Sequence, residues 1–212
     1  MDFNLYLITD RKGTGGLALA KVVEGALRGG VRAVQLREKD LPGRELFDMA
    51  LELRELTRQY GARLFVNERV DIALAVEADG VHLGEKGLPI GHARTLLGKE
   101  RLIGVSCHDL TGAISAQESG ADFITYGPVY FTPSKAVYGA PVGVGSLKEL
   151  AARLVIPVFA LGGINSSNAR EAIAAGAHGI ALISAIIAAQ DPEKAARELI
   201  ELLYTAKAEH VR

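Results

Sequence analysis

The chain has 212 residues, 49% of them hydrophobic, with 24 glycines and no tryptophan, enough for one well-buried core and short for two domains. A formal net charge of −1 without basic or acidic tails gives no support to a nucleic-acid or membrane partner, and no apolar run approaches a membrane span. Cys107 is the only cysteine, which rules out an intramolecular disulfide; with no signal-peptide pattern at the start, a cytoplasmic enzyme is expected.

Short apolar runs alternate with longer amphipathic ones along the whole chain. Strands are predicted at Asn4–Thr9, Arg32–Leu36, Arg63–Val66, Gly80–Leu83, Leu102–Ser106, Asp122–Gly127, Val158–Leu161 and Gly179–Ser184. Runs such as VFAL and GIALIS are near-continuously apolar, as parallel strands covered on both faces require. Between them, Leu46, Met49, Ala50, Leu53 and Leu56 keep helical spacing, and Ala195, Ala196, Leu199, Ile200, Leu202 and Leu203 form a last amphipathic stripe. Alternating strand and helix gives a parallel sheet. Eight units favour its closure, so the predicted fold is α/β, a (β/α)8 TIM barrel forming one domain over 1–212. An open doubly wound sheet is the alternative. The barrel is preferred because polar and glycine residues cluster at the strand ends, and in a barrel those ends converge on one mouth. The segment 127–145, GPVYFTPSKAVYGAPVGVG, has no helical period and reads as a long functional loop after strand six.

Five stations could carry chemistry. Leu161-Gly162-Gly163-Ile164 and Ile183-Ser184 each end a strand and are read as opening a helix, where backbone amides and the helix dipole favour an anion; barrels often place phosphate after strands seven and eight. Glycines alone would equally make tight turns. In Gln35-Leu36-Arg37-Glu38-Lys39, strand alternation points Gln35, Arg37 and Lys39 one way and Leu36 and Glu38 the other. Two cations at a mouth would suit a diphosphate; a structural ion pair with Glu38 or Glu68 is the other reading. Asn67 and Glu68 follow strand three, with Asn67 a hydrogen-bonding group and Glu68 a hard oxygen ligand for Mg²⁺ or a salt-bridge partner. Ser106-Cys107-His108 lacks the pattern of a catalytic triad; Ser106 is read as a donor to substrate and Cys107 as a buried thiol. Thr132, Ser134 and Lys135 form a compact anion clamp in the long loop. His82 lies within strand four and could reach the mouth, but a satisfied core histidine is the preferred reading.

Taken in order, LYLITDR, VQLREKD, FVNERVDIALAVEADGVHLG, IGVSCH, ADFITYGPVYFTPSK, IPVFALGGI and GIALISAI resemble the thiamine-phosphate synthase and thiazole tautomerase superfamily over nearly the whole length. QLREK, TPSK and the GGI–IS pair are the most specific. The resemblance implies attack by a thiazole phosphate on a hydroxymethylpyrimidine diphosphate with loss of pyrophosphate, assisted by Mg²⁺ and cations. It implies Gln35, Arg37, Lys39, Asn67, Ser106 and Lys135 at the pyrimidine diphosphate, and Thr132, Ser134, Gly163, Ile183 and Ser184 at the thiazole phosphate. Its partners would be small phosphorylated molecules, and a homo-oligomer stays open. Two departures touch the metal: Glu68 stands where the synthases carry Asp, and Gly87 where a second metal-binding Asp is expected. They keep the tautomerase as the alternative, although that enzyme is expected to carry a catalytic His where Pro128 stands. A non-catalytic sensor of phosphorylated ligands on the same barrel is the reading from another class.

Overall fold

The structure, a computed structural model, describes residues 1–132 and 140–210. In chain order it runs β1 (Leu5–Ile8), α1 (Leu19–Arg28), β2 (Ala33–Leu36), α2 (Gly43–Gln59), β3 (Arg63–Asn67), α3 (Val70–Ala75), β4 (Gly80–Leu83), α4 (Ile90–Leu97) and β5 (Leu102–Cys107). It continues with α5 (Leu110–Glu118), β6 (Phe123–Tyr126), α6 (Gly143–Ala151), β7 (Val158–Leu161), α7 (Ala169–Ala174), β8 (Gly179–Leu182), α8 (Ser184–Ile187) and α9 (Pro192–His210). The strands pair in sequence order, all parallel, and β8 closes onto β1. The predicted (β/α)8 barrel is therefore the fold.

Closure divides the apolar residues into two cores. Outward-facing strand residues such as Leu7, Val34, Leu64, Val81, Ile103 and Leu182 pack under the helices. Inward-facing Tyr6, Ile8, Ala33, Phe65, Phe123, Phe159 and Ala181, with Phe3 beneath them, form a second cluster inside the barrel. The period-2 alternation of each strand makes this division. The inner cluster is aromatic, with Phe3 stacked on Phe159 at 5.1 Å and Tyr6 edge-on to Phe65 at 5.3 Å. Glycines on the strands make room for these rings. A Cβ on Gly104 would come within 2.4 Å of the Phe123 ring, and on Gly80 within 2.9 Å of Phe65.

The helices follow the predicted stripes: Leu46, Ala50, Leu53 and Thr57 are the buried positions of α2. The Asp109 side chain caps α5 by accepting from the Gly112 amide at 2.7 Å. Three sequence expectations shift. The strand predicted to reach Ser184 ends at Leu182, and Ser184 opens α8. The long connection is shorter than 127–145, because α6 begins at Gly143. Gly162-Gly163 does not open a helix directly: α7 begins only at Ala169, after an intervening turn.

At the end of the barrel opposite the mouth, the same device occurs twice. Asp79 Oδ2, just before β4, accepts from the Leu64 amide at 2.8 Å and from Arg54 of α2 at 2.6 Å. Asp122 Oδ2, just before β6, accepts from the Ile103 amide at 2.7 Å and from Arg94 of α4 at 2.6 Å. Each carboxylate ties a strand start to the preceding strand and to a helix. Asp79→Ala should cost about 2–3 kcal/mol in urea unfolding, because it strands the largely buried Arg54. Arg153→Ala, which breaks an exposed pair with Glu149, should change stability by under about 0.5 kcal/mol.

Candidate active site

The aromatic cluster is the floor of the mouth. Directly above it lies a polar layer built by the same alternation, comprising Gln35, Asn67, His82, Ser106 and Thr125, with Asn67 paired in register to His82 and Ser106 to Thr125. Gln35 Nε2 donates to the Tyr6 hydroxyl at 3.2 Å. His82 Nε2 lies 3.0 Å from Ser106 Oγ and 3.3 Å from Thr125 Oγ1, and Thr125 Oγ1 donates to Ser106 Oγ at 3.4 Å. Gln35, His82 and Thr125 are buried, while Asn67 and Ser106 are half-open towards the mouth.

His82 is a core residue, as its strand position suggested, and it is also the group that orients Ser106. Counting inward positions up β4 from Gly80 would have placed it in the mouth layer. Burial, reinforced by the nearby Arg37 charge, lowers its pKa from 6.5 to about 3, so the imidazole is neutral at pH 7. A neutral ring has one donor and one acceptor nitrogen for its hydroxyl neighbours. Burial likewise raises the Tyr6 phenol well above its usual value.

The second station departs from the simple alternation, because β2 ends at Leu36 and the chain then turns. Arg37 is half-buried, Lys39 is exposed, and Glu38 is buried at 5% exposure. Glu38 pairs with neither neighbouring cation. Its Oε1 accepts from Thr9 Oγ1 at 2.8 Å and from the Arg11 amide at 3.0 Å, and its Oε2 from Arg11 Nη1 at 3.1 Å. Arg11 also grips Asp40 through two nitrogens, at 2.6 and 2.9 Å, and Lys12 adds a third contact. These cations hold the Asp40 carboxyl well below the usual carboxylate range. Thr9 Oγ1 in turn accepts from the Arg37 amide at 2.9 Å. The LITDR and REKD segments thus form one staple that satisfies Glu38 and Asp40. Arg37 is left without an ion pair among the described residues.

Glu68 follows Asn67 with a φ of 58°, a conformation side chains rarely adopt, and its amide donates to the His82 carbonyl at 2.9 Å. Its Oε1 lies 2.7 Å from where a Cβ on Gly84 would stand and 3.7 Å from the corresponding point on Gly87. The two glycines leave space for this longer carboxylate at the β4–α4 turn. Among the described residues no three His, Cys, Asp or Glu side chains converge. The donor set fits a Mg²⁺ ion held by one protein carboxylate, with substrate phosphate oxygens as its other ligands.

Ser106, Cys107 and His108 do not form a triad. Ser106 faces inward; Cys107 is buried outside the barrel, its thiol pushed up to about 12 chiefly by burial; and exposed His108 meets the Gly127 carbonyl at 2.6 Å. Gly162 and Gly163 have φ values of 94° and 65°. A Cβ on them would lie 2.6 Å from Pro128 Cα and 2.6 Å from the Phe131 carbonyl oxygen, so this pair seats the loop after β6. The Val129 and Tyr130 amides donate to the Leu161 and Gly162 carbonyls, completing that seat. At β8, half-buried Ile183 precedes α8 without a side-chain cap and its carbonyl accepts from the Ile186 and Ile187 amides, while exposed Ser184 begins the helix, its amide and that of Ala185 having no intrahelical acceptor. Thr132 is half-buried at the end of the described part of the loop, and Ser134 and Lys135 lie outside the described residues.

A closed (β/α)8 barrel with a polar layer and an uncommitted arginine at its mouth is the architecture of a TIM-barrel enzyme. The chain belongs to the thiamine monophosphate synthase family, whose model matches residues 5–186. A Geobacter sulfurreducens protein is 63% identical over 96% of this chain and 95% of its own length. The thiamine-phosphate synthase of Moorella thermoacetica is 46% identical over 97% of this chain and 98% of its own. Thiamine phosphate pyrophosphorylase from Pyrococcus furiosus superposes with a TM-score of 0.87 at 41% identity, covering 96% of both chains.

Because the folded pKa of His82 is below its ordinary 6.5, the unfolded chain binds the extra proton between pH 6.5 and about 3. Stability is lost as pH falls through that window. Urea unfolding of wild type and His82→Gln at pH 7 and 4.5 should show the wild type losing more stability than the variant on acidification.

Proposed function

We propose that the chain is a transferase joining 4-amino-2-methyl-5-hydroxymethylpyrimidine diphosphate to thiazole phosphate, giving thiamine phosphate and pyrophosphate. The observation that carries this reading is that Arg37 has no ion pair among the described residues while a helix opens at Ser184 on the same mouth, an arrangement that would give two separate phosphate stations. Its family and its relatives' names supply the substrate class.

In this reading the pyrimidine diphosphate lies over the polar layer, with Gln35, Asn67 and Ser106 meeting the ring or its phosphates. Ser106 is oriented by neutral His82, which keeps its donor and acceptor assignments across physiological pH. Arg37 forks onto the diphosphate, joined by Lys39 and by Lys135 of the loop. The thiazole phosphate takes the β8–α8 amides, with Ile183, Ser184, Gly163, Thr132 and Ser134 around it. The thiazole nitrogen attacks the pyrimidine methylene carbon, the carbon–oxygen bond breaks, and the electron pair leaves with pyrophosphate. Fixed cations stabilise the charge that develops there, without reorganisation at the moment of reaction. Mg²⁺, with Glu68 as its protein ligand, would supply further charge neutralisation on the diphosphate. The loop after β6, seated on Gly162 and Gly163, would cover the mouth. Pro128 at the position of the tautomerase's expected His supports the synthase over that paralogue. Among the described residues no helix is long and apolar enough to cross a membrane, and we place the enzyme in the cytoplasm.

The direct test mixes purified protein with both substrates and Mg²⁺ and measures thiamine phosphate and pyrophosphate. Product is expected, and Arg37→Ala should lower kcat/KM by about 100-fold or more through loss of charge stabilisation. No product from folded protein would overturn the assignment. Gly87→Asp sets a second carboxylate beside Glu68, so it should lower the Mg²⁺ concentration for half-maximal rate by roughly threefold or more. An unchanged Mg²⁺ dependence would remove Glu68 from the metal's surroundings.

A further inference from the structure

The barrel end remote from the mouth holds a cavity of about 440 Å³ whose charged lining is Arg32, Arg54, Arg58, Arg63, Asp2 and Asp79. The fold gathers these cations from three places. Arg32 and Arg63 lie at the starts of the paired strands β2 and β3, and Arg54 and Arg58 are one turn apart on α2. Four guanidiniums face two carboxylates. Arg54 pairs with Asp79 at 2.6 Å and Arg63 with Asp2 at 2.7 Å, while Arg58 reaches outward to exposed Glu77 at 2.6 Å. Arg32 has no acid among the described residues and gives its Nη1 to the carbonyls of Leu27 and Val31. Arg54 Nε is the one buried side-chain nitrogen or oxygen without a hydrogen-bond partner among the described residues. A buried donor of a charged group left unmatched is unfavourable, and such groups in folded proteins usually meet a water or an ion.

We propose that this cavity is a second oxyanion site, taking inorganic phosphate or the phosphoryl end of a phosphorylated metabolite, separate from the mouth. Several guanidinium N–H groups around one space match the oxygens of a tetrahedral anion, and the anion would offset the excess positive charge. Nothing in this site requires the mouth to be occupied.

Equilibrium dialysis of the full-length protein with radiolabelled inorganic phosphate tests the site. Three phosphates per chain are expected for the wild type, two at the mouth stations and one in the cavity, and Arg37→Ala should remove only the one at Arg37. Arg32→Gln/Arg58→Gln should lose the cavity phosphate, weakening it at least tenfold while changing turnover less than twofold. If the double variant does not fold, Arg58→Gln, which breaks only an exposed pair, should still weaken that site severalfold. Competition by pyrophosphate for the phosphate that the cavity substitutions remove would assign the cavity to the reaction's leaving group, and its absence to free phosphate; both support the site. A phosphate stoichiometry and affinity unmoved by either arginine substitution at the cavity would overturn it. Loss of the mouth phosphates alone bears on the proposed function and leaves this site intact.

Discussion

A closed parallel barrel points every second side chain into an enclosed space, and that space has to be filled. Here four phenylalanines and Tyr6 fill it, and glycines on the strands leave gaps for the rings. Their packing sets the depth of the mouth. Above the last ring the inward positions become Gln35, Asn67, His82, Ser106 and Thr125; buried His82 and Thr125 remain tolerable because they bond to each other and to Ser106, and buried Gln35 because it bonds to Tyr6. The polar layer exists at that height because the aromatic floor ends beneath it.

Charge is arranged over this layer by a staple that does no chemistry itself. Arg11 binds Glu38 and Asp40 and leaves Arg37 uncommitted. Had Glu38 turned towards Arg37, the cation that acts on His82 would have been neutralised by its own neighbour. The Coulombic effect of Arg37 on His82 shows how near that charge lies to the layer. The same proximity helps keep the histidine neutral and hence the Ser106 contact constant with pH.

The two ends of the barrel handle arginine in different ways. At the mouth one arginine is left free by pairing its acidic neighbours elsewhere. At the opposite end, Asp79 and Asp122 use arginines from α2 and α4 to lock strand starts, and the surplus cations gather around a cavity. Conserving the strand register and presenting an anion site draw there on the same side chains.

The sequence by itself determined the fold and supplied candidate residues for the mouth. Apolar runs such as VFAL and GIAL are long enough only for strands, their alternation with helical stripes gives a parallel sheet, and their number with the polar strand ends favours its closure. Strand alternation turns Gln35 inward, as β2 is regular through that position. It no longer applies three residues later at Glu38, because the chain turns after Leu36. The partner of Glu38 lies 27 residues away on the first loop, at a separation local pattern cannot register. The aromatic floor, the coupling of His82 to Ser106, the reach of Glu68 towards Gly84 and Gly87, and the arginine cavity were all decided by tertiary structure. Each depends on which side chains from non-adjacent segments share an enclosed volume, and only closure of the barrel specifies that.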